Sequence, residues 1–164
     1  MLFRYLTLSL LLAATAFGQT ADITGWSELR WGTSKASALK TLQPLGAHEC
    51  TSKNRVACAE APGADLIAIE KFTFSQIAFQ VNLLFTAKDG LIKAVMSAVD
   101  KRGAFEKILA DLTMRYGKPG LQSEYDGDEE RTYTSWIWSK PHGKLSLESD
   151  DSTGLFTLTY EPRR

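Results

Sequence analysis

The chain has 164 residues, of which 44% are hydrophobic, and its 19 lysines and arginines balance 19 aspartates and glutamates. Balanced, scattered charge excludes the basic surface that a nucleic-acid binder requires. The length fits a single domain with its own core, and no segment beyond the N-terminus is apolar for long enough to predict a membrane span.

Residues 1–18 have the features of a secretory signal peptide. Arg4 is the only charge, an apolar run follows it, and Ala16 and Gly18 supply small residues just before a cut. A membrane anchor is the alternative, but the run is shorter than the roughly 20 residues that cross a bilayer. We therefore expect export to the periplasm or the medium, with cleavage before Gln19. Losing one arginine leaves 18 basic against 19 acidic residues, a net charge of −1.

Cys50 and Cys58 predict a structural disulfide. An even number of cysteines in an exported chain favours a bridge, and Asn54 between them suits the turn of a hairpin that brings them together. A redox pair usually has two residues between its cysteines, and a metal site needs more ligands than His48 adds. The sequence therefore predicts a Cys50–Cys58 bridge, no metal and no cofactor.

The first half of the chain, 33–99, predicts one helix followed by strands. Apolar residues recur at helical spacing after Thr33 and Ser34, whose hydroxyls suit a helix N-cap, and Gly46 ends the pattern. A strand follows over Leu66–Phe74. The strongest pattern is the hairpin Ile77–Val99. Apolar residues alternate with more polar ones over Ile77–Phe85, a turn follows at Lys88-Asp89-Gly90, and a second run covers Leu91–Val99. Leu84 alone breaks that alternation.

The second half, 100–160, repeats this order. Apolar residues from Phe105 to Tyr116 form a helical stripe, with Asp100 expected as N-cap and Gly117 just past the end. Gly103 inside the first turn is expected to weaken that helix. Strands then follow over Leu121–Tyr125 and Arg131–Trp138, around Leu145 and Leu147, and around Phe156 to Tyr160, with Pro162 at the end.

Residues 19–164 thus predict one α+β domain, with two helices packed on one face of an antiparallel sheet. The order of helix then strands, found twice, suggests a tandem repeat of 33–99 and 100–160.

Three short motifs carry a resemblance: Trp31-Gly32-Thr33-Ser34 before the first helix, Tyr116-Gly117-Lys118-Pro119 after the second, and the Trp136 strand before a final meander. Together they resemble small exported domains of helix-plus-meander repeats. The β-lactamase-inhibitor-protein-like fold is one case, and the SmpA/OmlA-type lipoproteins are similar in part. The chain departs from the lipoproteins because it has no cysteine at the cut. The resemblance implies a protein-binding module.

Catalytic and metal-binding patterns are weak. His48 and His142 have no nucleophile in an elbow motif. Asp126, Asp128 and Glu130 alternate as calcium ligands do, but lack the twelve-residue loop and its closing glutamate. A hydrolase or lyase that uses His48 or this acidic run is the alternative function.

Aromatic residues are the best candidates for recognition. The strand Arg131–Trp138 has Tyr133 on one face, with Trp136 and Trp138 on the other. Two helices cover only part of a sheet, so we expect a free face on which Tyr125, Tyr133, Trp136 and Trp138 bind another protein or a peptide. Core packing of these rings is the competing interpretation. A further alternative is a chaperone-like or structural envelope protein, which would differ from the binding module only in having many weakly bound clients.

Overall fold

The computed structural model describes residues 21–50, 65–101, 103–127, 131–150 and 152–163, with the backbone alone at 121–127 and 131–133. The predicted signal peptide, Cys58 and most of the acidic run lie outside these residues or their described side chains. Cys50 follows a short strand and donates its backbone N–H to the Leu66 carbonyl at 3.1 Å. The Cys50–Cys58 bridge stays a prediction.

Two helices and ten strands follow one another in the described residues. The first half contains β1 (Gly25–Trp26), β2 (Leu29–Arg30), α1 (Lys35–Leu42) with a 3₁₀ turn (Gln43–Leu45), β3 (His48–Glu49), β4 (Asp65–Phe74), β5 (Ile77–Thr86) and β6 (Gly90–Val99). The second contains α2 (Ala104–Tyr116), β7 (Leu121–Gly127), β8 (Arg131–Ser139), β9 (Gly143–Asp150) and β10 (Leu155–Pro162). The predicted helices, and the predicted strands that fall within the described residues, are confirmed within a few residues at their ends.

Eight strands form one antiparallel sheet in the order β3-β4-β5-β6-β10-β9-β8-β7, and β1 and β2 form a separate hairpin. The order is symmetric about the β6–β10 pair. Each half contributes a helix and four strands, and the last strands of the two halves meet in the middle. This is the arrangement expected of two similar halves; a common origin for them stays a prediction.

One face of the sheet is covered, and we call it the covered face. Register pairs align a row of core residues across it, from Ile69 through Val81, Met96, Leu158 and Leu147 to Trp136. The helices and the hairpin pack there through one hydrophobic cluster. In the hairpin, the Trp26 indole N–H contacts the Met96 sulfur at 3.1 Å, beside the β6–β10 pair. The predicted α+β fold, with both helices on one sheet face, is confirmed.

A bulge in β4 explains why the apolar residues of this strand do not all fall on alternate positions of the sequence. Its register shifts between Ile69 and Phe72. Because one extra residue reverses the alternation, Ile67 and Ile69 share the covered face with Phe72 and Phe74. A second shift follows Leu84, the residue out of pattern in β5, and leaves Leu84 on the opposite face.

The helix starts differ in how well the sequence predicted them. Ser34 caps α1 as expected, because its hydroxyl accepts the Ser37 N–H at 3.3 Å. Asp100 was the expected N-cap of α2, but the cap is Gly103, with a left-handed φ of 73°. Asp100 still accepts the Phe105 N–H at 3.2 Å from outside the helix. Gly103 is therefore the residue that lets the chain enter the helix, because glycine adopts this conformation at little cost.

Candidate functional site

Trp138 lies in the core and not on a free face. It is 1% exposed, and its indole N–H donates to the Gly117 carbonyl at 2.7 Å, just past the end of α2. Burial with a satisfied N–H is the usual state of a core tryptophan. A partner could reach this ring only if α2 moved away, so the competing core interpretation describes Trp138.

Trp136 is also on the covered face, but it is only half-buried. Its ring packs against Phe105 of α2 with centroids 5.0 Å apart, and Phe105 in turn meets Phe156 edge-on at 5.8 Å. α2 crosses the sheet without covering the outer strands fully, which leaves a groove of about 540 Å³ beside Trp136. Trp136 is therefore the one predicted tryptophan that borders open space.

Tyr125 and Tyr133 are register partners on β7 and β8, and Tyr133 is also in register with Asp150 of β9. The two candidate tyrosines are therefore neighbours on adjacent strands at one end of the sheet. Their side chains are outside the description, so their binding role stays a prediction.

The face opposite the covered face has no helix of the described chain packed on it, because the core cluster contains only residues of the covered face. We call it the open face. Its central rows bear small polar side chains: Ser97 and Thr157 contact each other at 3.4 Å, and Thr159 lies beside Val95 in register. An ion pair between Lys93 and Glu161 at 3.0 Å borders these rows.

Two large apolar side chains stand next to each other on the open face. Val99 and Leu155 are register partners and are 51% and 41% exposed. Leu155 is also in register with Asp150, which pairs with Tyr133. Exposed apolar neighbours often belong to interaction surfaces. The sequence missed this pair because both residues fit the apolar pattern of their strands and nothing local distinguishes them from core.

Toward β4 the open face becomes buried. Ala68 and Asn82, register partners, are 1% and 8% exposed. Within the described residues, the Asn82 Oδ1 atom has no hydrogen-bond partner. A buried carbonyl oxygen without a donor costs roughly 1–3 kcal/mol, so this atom favours a donor supplied from outside the described structure.

His142 meets a carboxylate, which the hydrolase alternative requires. Its Nδ1 bonds Asp22, and its backbone N–H lies 3.4 Å from the same carboxylate. The side chains of His142 and Asp22 are 69% and 31% exposed, and the pair joins the chain before β1 to the β8–β9 turn. Enzymes usually enclose such pairs in a cleft. Because the His142–Asp22 pair is this exposed, we interpret it as a clamp that holds two chain segments together and not as a general base.

The other proposed catalytic groups also lack a site in the described part of the chain. His48 Nδ1 lies 3.3 Å from the carbonyl of Gly46, two residues earlier. No group of three or more potential metal ligands occurs among the described residues, and Asp128 and Glu130 of the acidic run lie outside them.

A second cleft, of about 450 Å³, lies between the β1–β2 hairpin and the end of α2. Burial raises the pKa values of Tyr116 and Tyr160, which share a hydrogen bond at its edge. Both phenols therefore stay protonated at neutral pH and act as hydrogen-bonding groups, not as bases.

Searches of the chain against protein-family models, curated proteins and solved structures gave no match. The resemblance to the β-lactamase-inhibitor-protein-like fold therefore stays a prediction. Among the described helices, none has the length and hydropathy of a membrane span.

Proposed function

We propose that this protein is an exported, non-enzymatic binding module that recognises another protein or a peptide on the open face of its sheet. The observation that carries the proposal is the adjacent, exposed pair of Val99 and Leu155. Apolar side chains in contact on an uncovered sheet release ordered water when a partner covers them, which is the main source of affinity in protein interfaces.

The surroundings of this pair suit an interface. The row that contains Val99 and Leu155 continues by register to Asp150, Tyr133 and Tyr125. Strand alternation predicts that both tyrosine positions share the open face with Leu155. Tyrosine is enriched in interfaces because its ring packs while its hydroxyl stays hydrogen-bonded. The apolar pair lies at one end of the β6–β10 pairing, next to the polar residues Ser97, Thr157 and Thr159. Interfaces usually combine apolar and polar side chains in this way.

Substitution of Val99 gives the direct test. We expect Val99→Lys to weaken capture of a partner from envelope extract by about tenfold, because a charge replaces an exposed apolar side chain of the proposed interface. The matched control is Met114→Lys on α2. Met114 is 78% exposed but lies on the helix layer, away from the open face. Circular dichroism establishes that both variants fold.

Equal loss of capture in the two variants, or equal retention, would rule out the open face. A stoichiometric partner supports the binding module, and many weakly bound clients favour the chaperone-like alternative. Localisation is tested separately: the mature mass should begin at Gln19 and lack two hydrogens because of the Cys50–Cys58 bridge.

A further inference from the structure

The groove beside Trp136 lies on the covered face, reaches the edge of the open face at Leu155 and Asp150, and has both apolar and polar walls. It lies between the first half of α2 and strands β8–β10, and its volume is about 540 Å³. Its apolar lining comes from Phe105, Leu109, Trp136, Leu155 and Phe156. A groove of this size accepts one or two side chains.

The rings at its base hold each other in place. Phe105 packs at 5.0 Å against Trp136 and at 5.8 Å, edge to face, against Phe156, which meets Phe79 at 5.6 Å. Trp136 is nevertheless only half-buried. Part of a positioned indole ring therefore borders the groove, and indole is the ring that attracts cations most strongly.

Every charged residue in the described lining of the groove is acidic: Asp100, Glu106 and Asp150. The described lining includes no lysine, arginine or histidine. Asp100 accepts the Phe105 N–H, which fixes its carboxylate beside α2. Hydrogen bonds from Ser152 and Thr153 hold the pKa of Asp150 below its ordinary value. The groove thus presents fixed negative charge next to an aromatic ring.

The same combination of an aromatic ring and a carboxylate occurs elsewhere in the molecule, where a cationic side chain lies against both. At the other end of α2, the Arg115 guanidinium lies over the Phe74 ring, 4.9 Å from its centroid. Arg115 also pairs with Asp111 at 3.1 Å. Ring, carboxylate and guanidinium are all supplied by the chain there, whereas the described lining of the Trp136 groove supplies a ring and carboxylates without a cation.

We propose that the groove binds an arginine side chain of a peptide segment from a partner protein. A planar guanidinium stacks on an indole ring while its N–H groups pair with carboxylates, and the aliphatic part of the side chain fits the apolar walls. Lysine offers only a compact, strongly hydrated ammonium. The groove meets the open face at Leu155 and Asp150. The arginine site itself is built on Trp136, Asp100 and Glu106, and its test does not use the partner proposed above.

Titration of the protein with a short blocked peptide, acetyl-Gly-Arg-Gly-amide, tests the inference by NMR. The indole N–H signal of Trp136, assigned with Trp136→Phe, should shift and saturate. The buried Trp138 signal should shift less, because its N–H is bonded to Gly117. The lysine peptide should bind at least about twofold more weakly, and the peptide with uncharged citrulline should leave the Trp136 signal in place.

Substitutions of the groove carboxylates test whether their charge contributes to binding of the arginine peptide. We expect Glu106→Gln to weaken the arginine peptide about two- to fivefold, the range for an exposed ion pair. Asp100→Asn provides a second variant at the same groove. Glu28→Gln is the matched control, because Glu28 is exposed and lines the other cleft. Equal binding of arginine and citrulline peptides, or equal weakening by Glu28→Gln, would overturn the proposal, as would the absence of any Trp136 shift.

Discussion

Residues on the same strand differ in solvent exposure because different parts of the chain pack over them. Trp136 and Trp138 share β8 and the covered face, yet the end of α2 buries Trp138 while Trp136 borders a groove. The alternation of side chains along the strand correctly predicted that both rings lie on one face of the sheet. It could not show which of them a helix of another part of the chain would cover.

Asp22 and His142 allow a prediction at the scale of residues. The hydrogen bond with His142, ahead of smaller contributions, lowers the pKa of Asp22 from its ordinary value of 3.8. A lowered pKa means that the folded state favours the carboxylate, so the stabilisation is complete above the ordinary value. It is lost as the pH falls through the lowered value of the folded protein.

We therefore expect Asp22→Asn to lower the melting temperature at neutral pH, with a difference from wild type that shrinks below about pH 4. Thermal melts between pH 3 and 7 measure this. Glu28→Gln, an exposed carboxylate near the same hairpin, serves as control. A difference that stays constant, or grows as the pH falls, would contradict the clamp.

At the scale of elements, the β5–β6 turn fixes where the chain enters α1. Gly32 donates to the Leu91 carbonyl at 3.1 Å, and Leu91 donates to the Thr33 carbonyl at 2.8 Å. Gly90 sits between them with a φ of 64°, and a Cβ there would lie 2.3 Å from the Gly32 oxygen. The glycine of the predicted turn thus has a second role, which is close packing against another segment.

We expect Gly90→Ala to lower the free energy of unfolding by about 2–4 kcal/mol, because it adds a backbone clash to the strain of a positive φ. The matched control is Gly46→Ala, whose φ is 76° but whose Cβ would meet nothing within 4 Å. It should cost about 1 kcal/mol, the strain alone. Urea denaturation measures both, and equal losses would mean that the contact with Gly32 is unimportant.

For the whole molecule, the β6–β10 pair joins two similar halves into one body. Six register pairs connect these strands, from Leu155–Val99 to Tyr160–Ala94. The core cluster continues across them and includes Trp26 of the hairpin as well as residues of both helices. Neither half has a separate core, so we expect the halves to unfold together.

Native-state hydrogen exchange measures this cooperativity. The amides of Leu83 in β5 and Leu147 in β9, both fully buried, should report the same free energy of opening in low denaturant. A difference larger than about 1 kcal/mol would mean that the halves open separately and that the joined sheet is only marginally stable.

The sequence by itself determined the elements and the fold class, because periods of two and 3.6 and the turn residues are local properties. The hairpin Ile77–Val99 and the cap at Ser34 are examples. Only the tertiary structure decided the order of strands across the sheet, the parity change at the β4 bulge and the ring that α2 covers. These depend on contacts between residues far apart in the chain. The exposed pair of Val99 and Leu155 exists only once the two halves have joined. The acidic groove beside Trp136 exists only once α2 has packed on β8–β10. No local pattern predicted either of them.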